Sequence, residues 1–242
     1  MNLQLERFSF IKNSNYYKFT RDILVPFGLK IISRLFRGNV DEDLIIIGAY
    51  GGNAYLDNTR ALFEFLNKRS NYRVVWITKS KNLVKEIRKK GYNAIHSLNI
   101  NAIRLMRKAK FIFITHGIYD LLPIEISPDT TVILTWHGTP IKKIVLDETD
   151  KFYVYTKWGN IFKLKLRYDQ YINFVLTPPT GDLEHENLNS AFKVPLNKIL
   201  NLGYPRHDIL FNKDREFVKS IKSKFDISED FDRIILYCPT FR

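Results

Sequence analysis

Five short apolar runs punctuate the chain: "DLIIIGAY" (43–50), "YRVVWIT" (72–78), "FIFIT" (111–115), "TVILTW" (131–136) and "YINFVLT" (171–177). Each is continuous rather than alternating, the pattern of a strand covered on both faces. Between the first of them lie "DNTRALFEFLNKR" (57–69), "KNLVKEIRKK" (81–90) and "NINAIRLMRKA" (99–109). There Leu62, Phe65 and Leu66, then Leu83, Val84 and Ile87, recur at helical spacing. Gly91 stops the second of these helices. Strand and helix in alternation predict an α/β fold, a doubly wound and mainly parallel Rossmann-like sheet. With 242 residues, 45% of them hydrophobic, the chain can bury a substantial core.

In an open α/β sheet, ligands bind beyond the carboxyl ends of the strands, so the residues that follow each run matter most. After "TVILTW" comes "HGTPIKKI" (137–144). Gly138 lets the backbone turn tightly there. Thr139 is a helix-capping residue and Pro140 suits a first helical position. A helix start would offer free N–H groups and a positive dipole end. Lys142 and Lys143 have the wrong sign for that dipole, which a bound anion would explain. We therefore expect a site at His137, Gly138, Thr139, Lys142 and Lys143, in preference to a solvated basic turn with a structural histidine.

Three other turns are less decisive. "LGYPRHDIL" (202–210) predicts a rigid turn that projects Arg206, with Asp208 capping a helix that carries Ile209, Leu210 and Phe211. Arg206 suits phosphate oxygens or, equally, an acidic neighbour. "AYGGNAYLDN" (49–58) lacks both the dinucleotide spacing and the Walker lysine. Its glycines are expected to serve the turn, and Asp57 or Asn58 to cap the next helix. "ITHGIYD" (114–120) puts His116 at the same sheet edge, where it reads as structural.

Lys plus Arg number 38 against 25 Asp plus Glu, a formal charge of +13. An excess of that size favours an anionic partner. Two segments mix cations with apolar residues. "TRDILVPFGLKIISRLFRGN" (20–39) holds Lys30, Arg34 and Arg37; "KWGNIFKLKLRYDQY" (157–171) holds Trp158, Phe162, Lys163, Lys165 and Arg167. Both suit a peripheral helix on an anionic membrane surface. No nucleic-acid recognition motif is present. Cys238 is the single cysteine, so no disulfide framework is expected and a reducing compartment fits. The opening "MNLQLERFSFIKN" has no apolar signal core. The histidines and acids show no metal-ligand spacing.

Four stretches together carry a family resemblance: "YLDNTRALFEFL" (55–66), "WHGTPIKKI" (136–144), "LGYPRHDIL" (202–210) and "YCPTFR" (237–242). In order and spacing they resemble the CDP-glycerol glycerophosphotransferase family of teichoic acid and capsule synthesis. The resemblance implies a GT-B fold, two Rossmann-like domains facing a cleft. It implies a monotopic protein at the cytoplasmic face of the cell membrane that moves glycerol phosphate, or a related polyol phosphate, from a CDP-alcohol to a growing polymer. No cofactor is implied beyond that donor. The family's His-Gly-Thr motif falls on His137, Gly138 and Thr139, its Gly-Tyr-Pro-Arg motif on Gly203 to Arg206, and its Pro-Thr-x-Arg motif on Pro239, Thr240 and Arg242.

These readings set the expected organisation. Residues 1–40 form a basic amphipathic segment, 41–228 an acceptor-side Rossmann-like domain, and 229–242 ("DRIILYCPTFR" within it) the first strand of a donor-binding domain. The resemblance places a second catalytic histidine and most CDP contacts beyond Arg242, so the 242 residues are expected to be incomplete and inactive alone. The alternatives are a nucleotide-sugar glycosyltransferase on the same fold, or a non-enzymatic basic protein that binds membranes.

Overall fold

The apolar runs become the strands of one sheet because each offers side chains to both faces. In the computed structural model, residues 20–140, 143–147, 172–178, 182–211, 215–228, 235 and 237 are described. The strands are β1 (Asp41–Ile47), β2 (Arg73–Thr78), β3 (Ala94–His96), β4 (Ala109–Ile114), β5 (Thr131–Leu134), β6 (Phe174–Leu176) and β7 (Ile199–Leu200). Their order is β3-β2-β1-β4-β5-β6-β7 and every pairing is parallel. The expected sheet was mainly parallel; the observed one is wholly so. Its order reverses between β1 and β4, the switch point where such sheets open a crevice for ligands.

Alternate residues supply two cores. Leu44, Ile46, Val75, Ile77, Ile112 and Ile114 meet Ala102, Ile103 and Met106 of α4 (Ile100–Lys108) and Leu188 and Phe192 of α5 (Asp182–Phe192). On the other face Ile45, Ile47, Val74 and Trp76 meet Phe63 of α2 (Asp57–Arg69) and Val84 and Ile87 of α3 (Lys81–Lys89). A helix layer on each face explains why the strands read as unbroken apolar runs. Near the chain start, α1 (Val25–Ser33) continues as a tight turn, Arg34–Phe36, and lays Leu29 and Phe36 on the first core.

The three expected internal helices form within a residue or so of their predicted bounds. The short β3 was not predicted, since three residues are too few to show a period. Asp208 does not cap an α-helix. It lies within a 3-10 segment, Pro205–Phe211, and α6 (Arg215–Lys224) follows. By its internal contacts the chain divides into two units, Met1–Arg206 and His207–Arg242. Residues 157–171 with Trp158, Phe162, Lys163, Lys165 and Arg167, and Thr240 and Arg242, lie outside the described residues, as does the strand expected within 232–242 apart from Ile235 and Tyr237. Among the described residues no helix is long and apolar enough to cross a membrane.

Candidate active site

The residues after β1, β4 and β5 converge on the switch point. Ile114 and Leu134 are in register, and Thr135 donates its N–H to Ile114 O at 2.8 Å. Register alone would set His116 opposite Trp136. Trp136 instead takes a left-handed backbone, φ 51°, and the following His137 swings over His116. The two imidazoles stack, with centroids 4.1 Å apart and planes 17° from parallel. The Trp136 indole lies 3.9 Å from the His137 ring and the Tyr50 ring 4.3 Å from His116.

Strain gathers at this edge. Among the described residues, six non-glycine positions have positive φ, and three of them, Tyr50, Asp57 and Trp136, surround the histidines. Such conformations persist only where the surroundings over-determine them. The clamps are visible. Asn58, fully buried, donates Nδ2–H to Thr135 O (3.2 Å) and Trp136 O (2.9 Å), pinning the turn before His137. Asp120, also fully buried, accepts from the N–H groups of Gly51 (2.7 Å), Thr115 (2.6 Å) and His116 (2.8 Å). Gly52 is required beside it: its φ is +81°, and a Cβ there would stand 3.0 Å from Asp120 O. Thr115 Oγ1 completes the brace, 2.8 Å from His116 Nδ1.

The charged part of the site sits at the start of α2. The Asp57 carboxylate, 4% exposed, accepts from Tyr50 Oη at 2.6 Å and pairs with Arg206 Nη1. Arg206 thus has the acidic neighbour, while its side chain stays 32% exposed toward solvent. Burial, then the Asp57 hydrogen bond, push the Tyr50 hydroxyl up to about 12, so it remains a donor. Burial, then the neighbouring His116, lower His137 to about 4. His137 is therefore neutral at physiological pH, with a lone pair able to accept a proton.

Several sequence expectations change here. No α-helix starts at Pro140 among the described residues; Lys142 lies outside them, and Lys143 is exposed on irregular chain. The helix start expected after Pro140 thus falls partly on residues outside the described ones. Thr139 caps nothing described and reaches Glu184 Oε2 at 3.5 Å. Gly138 has open space around its Cα and no left-handed φ; Trp136 makes the turn instead. Neither Asp57 nor Asn58 is the N-cap of α2, a place taken by Leu56. His116, read as structural, lies against His137. Tyr50, Asn58 and Asp120 were not singled out for the site at all. One signal was available: "ITHG" and "LTWHG" repeat a strand followed by His-Gly, and two such strands become neighbours. Lys30, Arg34 and Arg37 are on or just after α1, where Arg34 Nε bonds Glu125 Oε2 at 2.6 Å and Arg37 Nη2 bonds Oε1 at 3.3 Å. Among the described residues no group of three or more His, Cys, Asp or Glu is placed to hold a metal ion.

The fold and site define a doubly wound α/β protein with a histidine and an acid-held arginine at its switch point, where such folds bind ligands. The chain belongs to the CDP-glycerol:poly(glycerophosphate) glycerophosphotransferase family, whose description matches residues 30–242. A teichoic acid glycerol-phosphate transferase of Staphylococcus aureus (strain NCTC 8325 / PS 47) is 31% identical over 215 residues, 88% of this chain and 53% of that protein. A teichoic acid poly(glycerol phosphate) polymerase of Bacillus spizizenii (strain ATCC 23059 / NRRL B-14472 / W23) is 30% identical over 209 residues, 84% of this chain and 50% of its own. A structure of the wall teichoic acid polymerase TagF superposes with a TM-score of 0.72 at 21% identity, covering 94% of this chain and 56% of that one. The family resemblance and the α/β fold expected from the sequence both stand. The chain spans about half the length of these two curated relatives.

Proposed function

We propose that this chain supplies the acceptor side of a transferase that moves glycerol phosphate, or a related polyol phosphate, from a CDP-alcohol to a growing teichoic acid or capsular polymer. The observation that carries the reading is the neutral His137, half-buried against Trp136 and His116 at the switch point and within the family's matched region. An acceptor hydroxyl attacks the β-phosphorus. The new O–P bond forms as the P–O bond to the leaving CMP breaks, and the hydroxyl proton passes to the His137 imidazole. Arg206, partly exposed and held by Asp57, is the residue proposed to meet phosphoryl oxygens. Lys143, and Lys142 with it, add positive charge nearby in sequence. Thr240 and Arg242 are assigned to the donor side through the family motif. The reaction takes place at the cytoplasmic face of the membrane, to which the basic segments 20–39 and 157–171 hold the protein peripherally, with no nucleic acid involved.

We also propose that residues 1–242 alone give no measurable transfer, because effective molarity is lost unless donor and acceptor are both held. The test is release of CMP from CDP-glycerol by these residues, alone and within a chain extended through a second half like that of the relatives. CMP release and glycerol phosphate incorporation by the extended chain are expected. Turnover of a nucleotide sugar with CDP-glycerol left intact would assign the site to a glycosyltransferase instead.

A further inference from the structure

At the opposite end of the strands lies a groove that the transfer reaction does not use. It has a volume of about 700 Å³. Leu35 and Phe36 form part of its apolar lining, and Arg37, Arg73, Arg104 and Lys108 line it with positive charge. Among the described residues no acidic side chain lines it. Arg37 and Arg73 already share acids, Glu125 at 3.3 Å and Asp41 at 2.8 Å. Arg104 and Lys108 have no acidic partner among the described residues, and Arg104 lies over the Phe36 ring at 5.4 Å. These two are four residues apart on α4, so they stand on one face and repel each other. An anion between them would reverse that repulsion.

The groove continues into an apolar stripe. Phe27, Ile31 and Leu35 follow each other at four-residue spacing along α1 and its extension, and are 63%, 50% and 81% exposed. Leu35 belongs to both stripe and groove. A free phosphate would use the cations and have no use for the stripe. A nucleic acid would have no use for exposed aliphatics either. A molecule with an anionic head and an apolar tail uses all of it.

We propose that this groove seats the phosphate headgroup of an anionic phospholipid, with the acyl chains running along Leu35, Ile31 and Phe27. The inference rests on the reading of the protein as peripheral to a membrane, and gives that attachment a defined site. Arg37, Arg73 and Lys108 lie where β1, β2 and β4 begin, and the strands set the histidine edge about 20 Å away. The seated lipid is therefore an anchor and does not react.

The experiment is flotation of the whole chain with phosphatidylglycerol-containing or pure phosphatidylcholine vesicles. Arg104→Ala/Lys108→Ala is compared with Lys81→Ala/Lys85→Ala, which removes equal charge from the exposed side of α3. All four side chains are exposed, so folding should be unaffected. Wild type should bind the anionic vesicles, and the groove pair should weaken that binding about fivefold per charge while the α3 pair changes it less than twofold. Equal losses from both pairs would replace the seat with diffuse attraction and leave the membrane reading standing. No binding of wild type to either vesicle would remove the membrane reading and the seat with it. Competition by inorganic phosphate or duplex oligonucleotide as effective as that by short-chain phosphatidylglycerol would also overturn the lipid assignment.

Discussion

The two ends of the sheet use charge in opposite ways. At the carboxyl end, Asp57 and Asp120 are caged by hydrogen bonds, His137 is held neutral, and Tyr50, Asp57 and Trp136 take strained left-handed backbone. At the amino end, Arg73, Arg104 and Lys108 stand on ordinary strand and helix and Arg37 just past a 3-10 turn, with Arg37 and Arg73 sharing acids that are themselves partly exposed. One end is preorganised by buried hydrogen bonds, as chemistry demands, with Arg206 and Tyr50 left partly open to water. The other is open and cationic, as a surface that binds and releases demands. Mutations should therefore separate the ends: those at the histidine edge should change rate and stability, those at the amino end should change association alone.

The largest effect belongs to His137. In an active, extended chain, His137→Gln should lower turnover by roughly 10² to 10⁴, the usual worth of a general base. Vesicle binding should be unchanged. Steady-state CMP release read beside flotation checks both; a fall in binding as large as the fall in rate would erase the distinction between the ends.

Next comes the clamp. Asn58→Ala would leave the carbonyls of Thr135 and Trp136 without the donors that pin the turn. Loss of hydrogen bonds at buried carbonyls costs about 1–3 kcal/mol. Thermal unfolding should show it as a lowered Tm. The same substitution should also loosen Arg206, whose N–H meets Asn58 Oδ1 at 3.4 Å. If Tm is unchanged, the strained turn is self-supporting and Asn58 is only a spacer.

How much of this was open to the sequence follows from what each part depends on. The sheet was legible because a strand buried on both faces must be apolar at every position, as Leu44 to Ile47 and Val74 to Ile77 are. The place of His137 at the sheet edge was legible because it ends such a run and is followed by Gly138, Thr139, Pro140 and two lysines. The clamps were not. Asn58 looked like a cap, since Asn at a helix start normally is one; nothing local says that its amide reaches residues 77 and 78 positions further along the chain. His116 and His137 are adjacent only because β4 and β5 are, and because Trp136 turns left-handed, which its residue type argues against. The pairing of Arg206 with Asp57 likewise spans 149 positions.

A third measurement probes that adjacency. The His137 imidazole is lowered to about 4, first by burial and then by His116. The unfolded chain would take up this proton near the ordinary histidine value of 6.5. The unfolded state thus binds more protons between those values, and acid should weaken the fold from about pH 6.5 down to about 4. His116→Ala removes the second cause and, with the stacked ring, part of the burial as well, so the His137 midpoint should rise part of the way toward 6.5. Any acid limb in the rate should move up with it. Titration of the imidazole C–H signals by NMR reads this without an activity assay. An unchanged midpoint would mean that the stacked ring does not act electrically on His137.

The smallest effect tests the amino end in its own terms. Arg34 and Arg37 both meet Glu125, and the Arg34 hydrogen bond holds that carboxyl below the usual carboxylate range. The arginine side chains are 58% and 66% exposed, so water and salt screen the pairs. Exposed pairs of this kind are worth about 0–1 kcal/mol. Arg34→Ala should therefore shift Tm by no more than a degree or two, less at high salt than at low, and less again as pH falls and Glu125 takes up its proton. Yet the same substitution removes a cation from the face that carries the apolar stripe, so anionic vesicle binding should drop several-fold while Tm barely moves. If Arg34→Ala instead unfolds the protein as Asn58→Ala is expected to, then the amino end is a structural brace built on Glu125, and the contrast between a rigid site and an adaptable surface fails at that point.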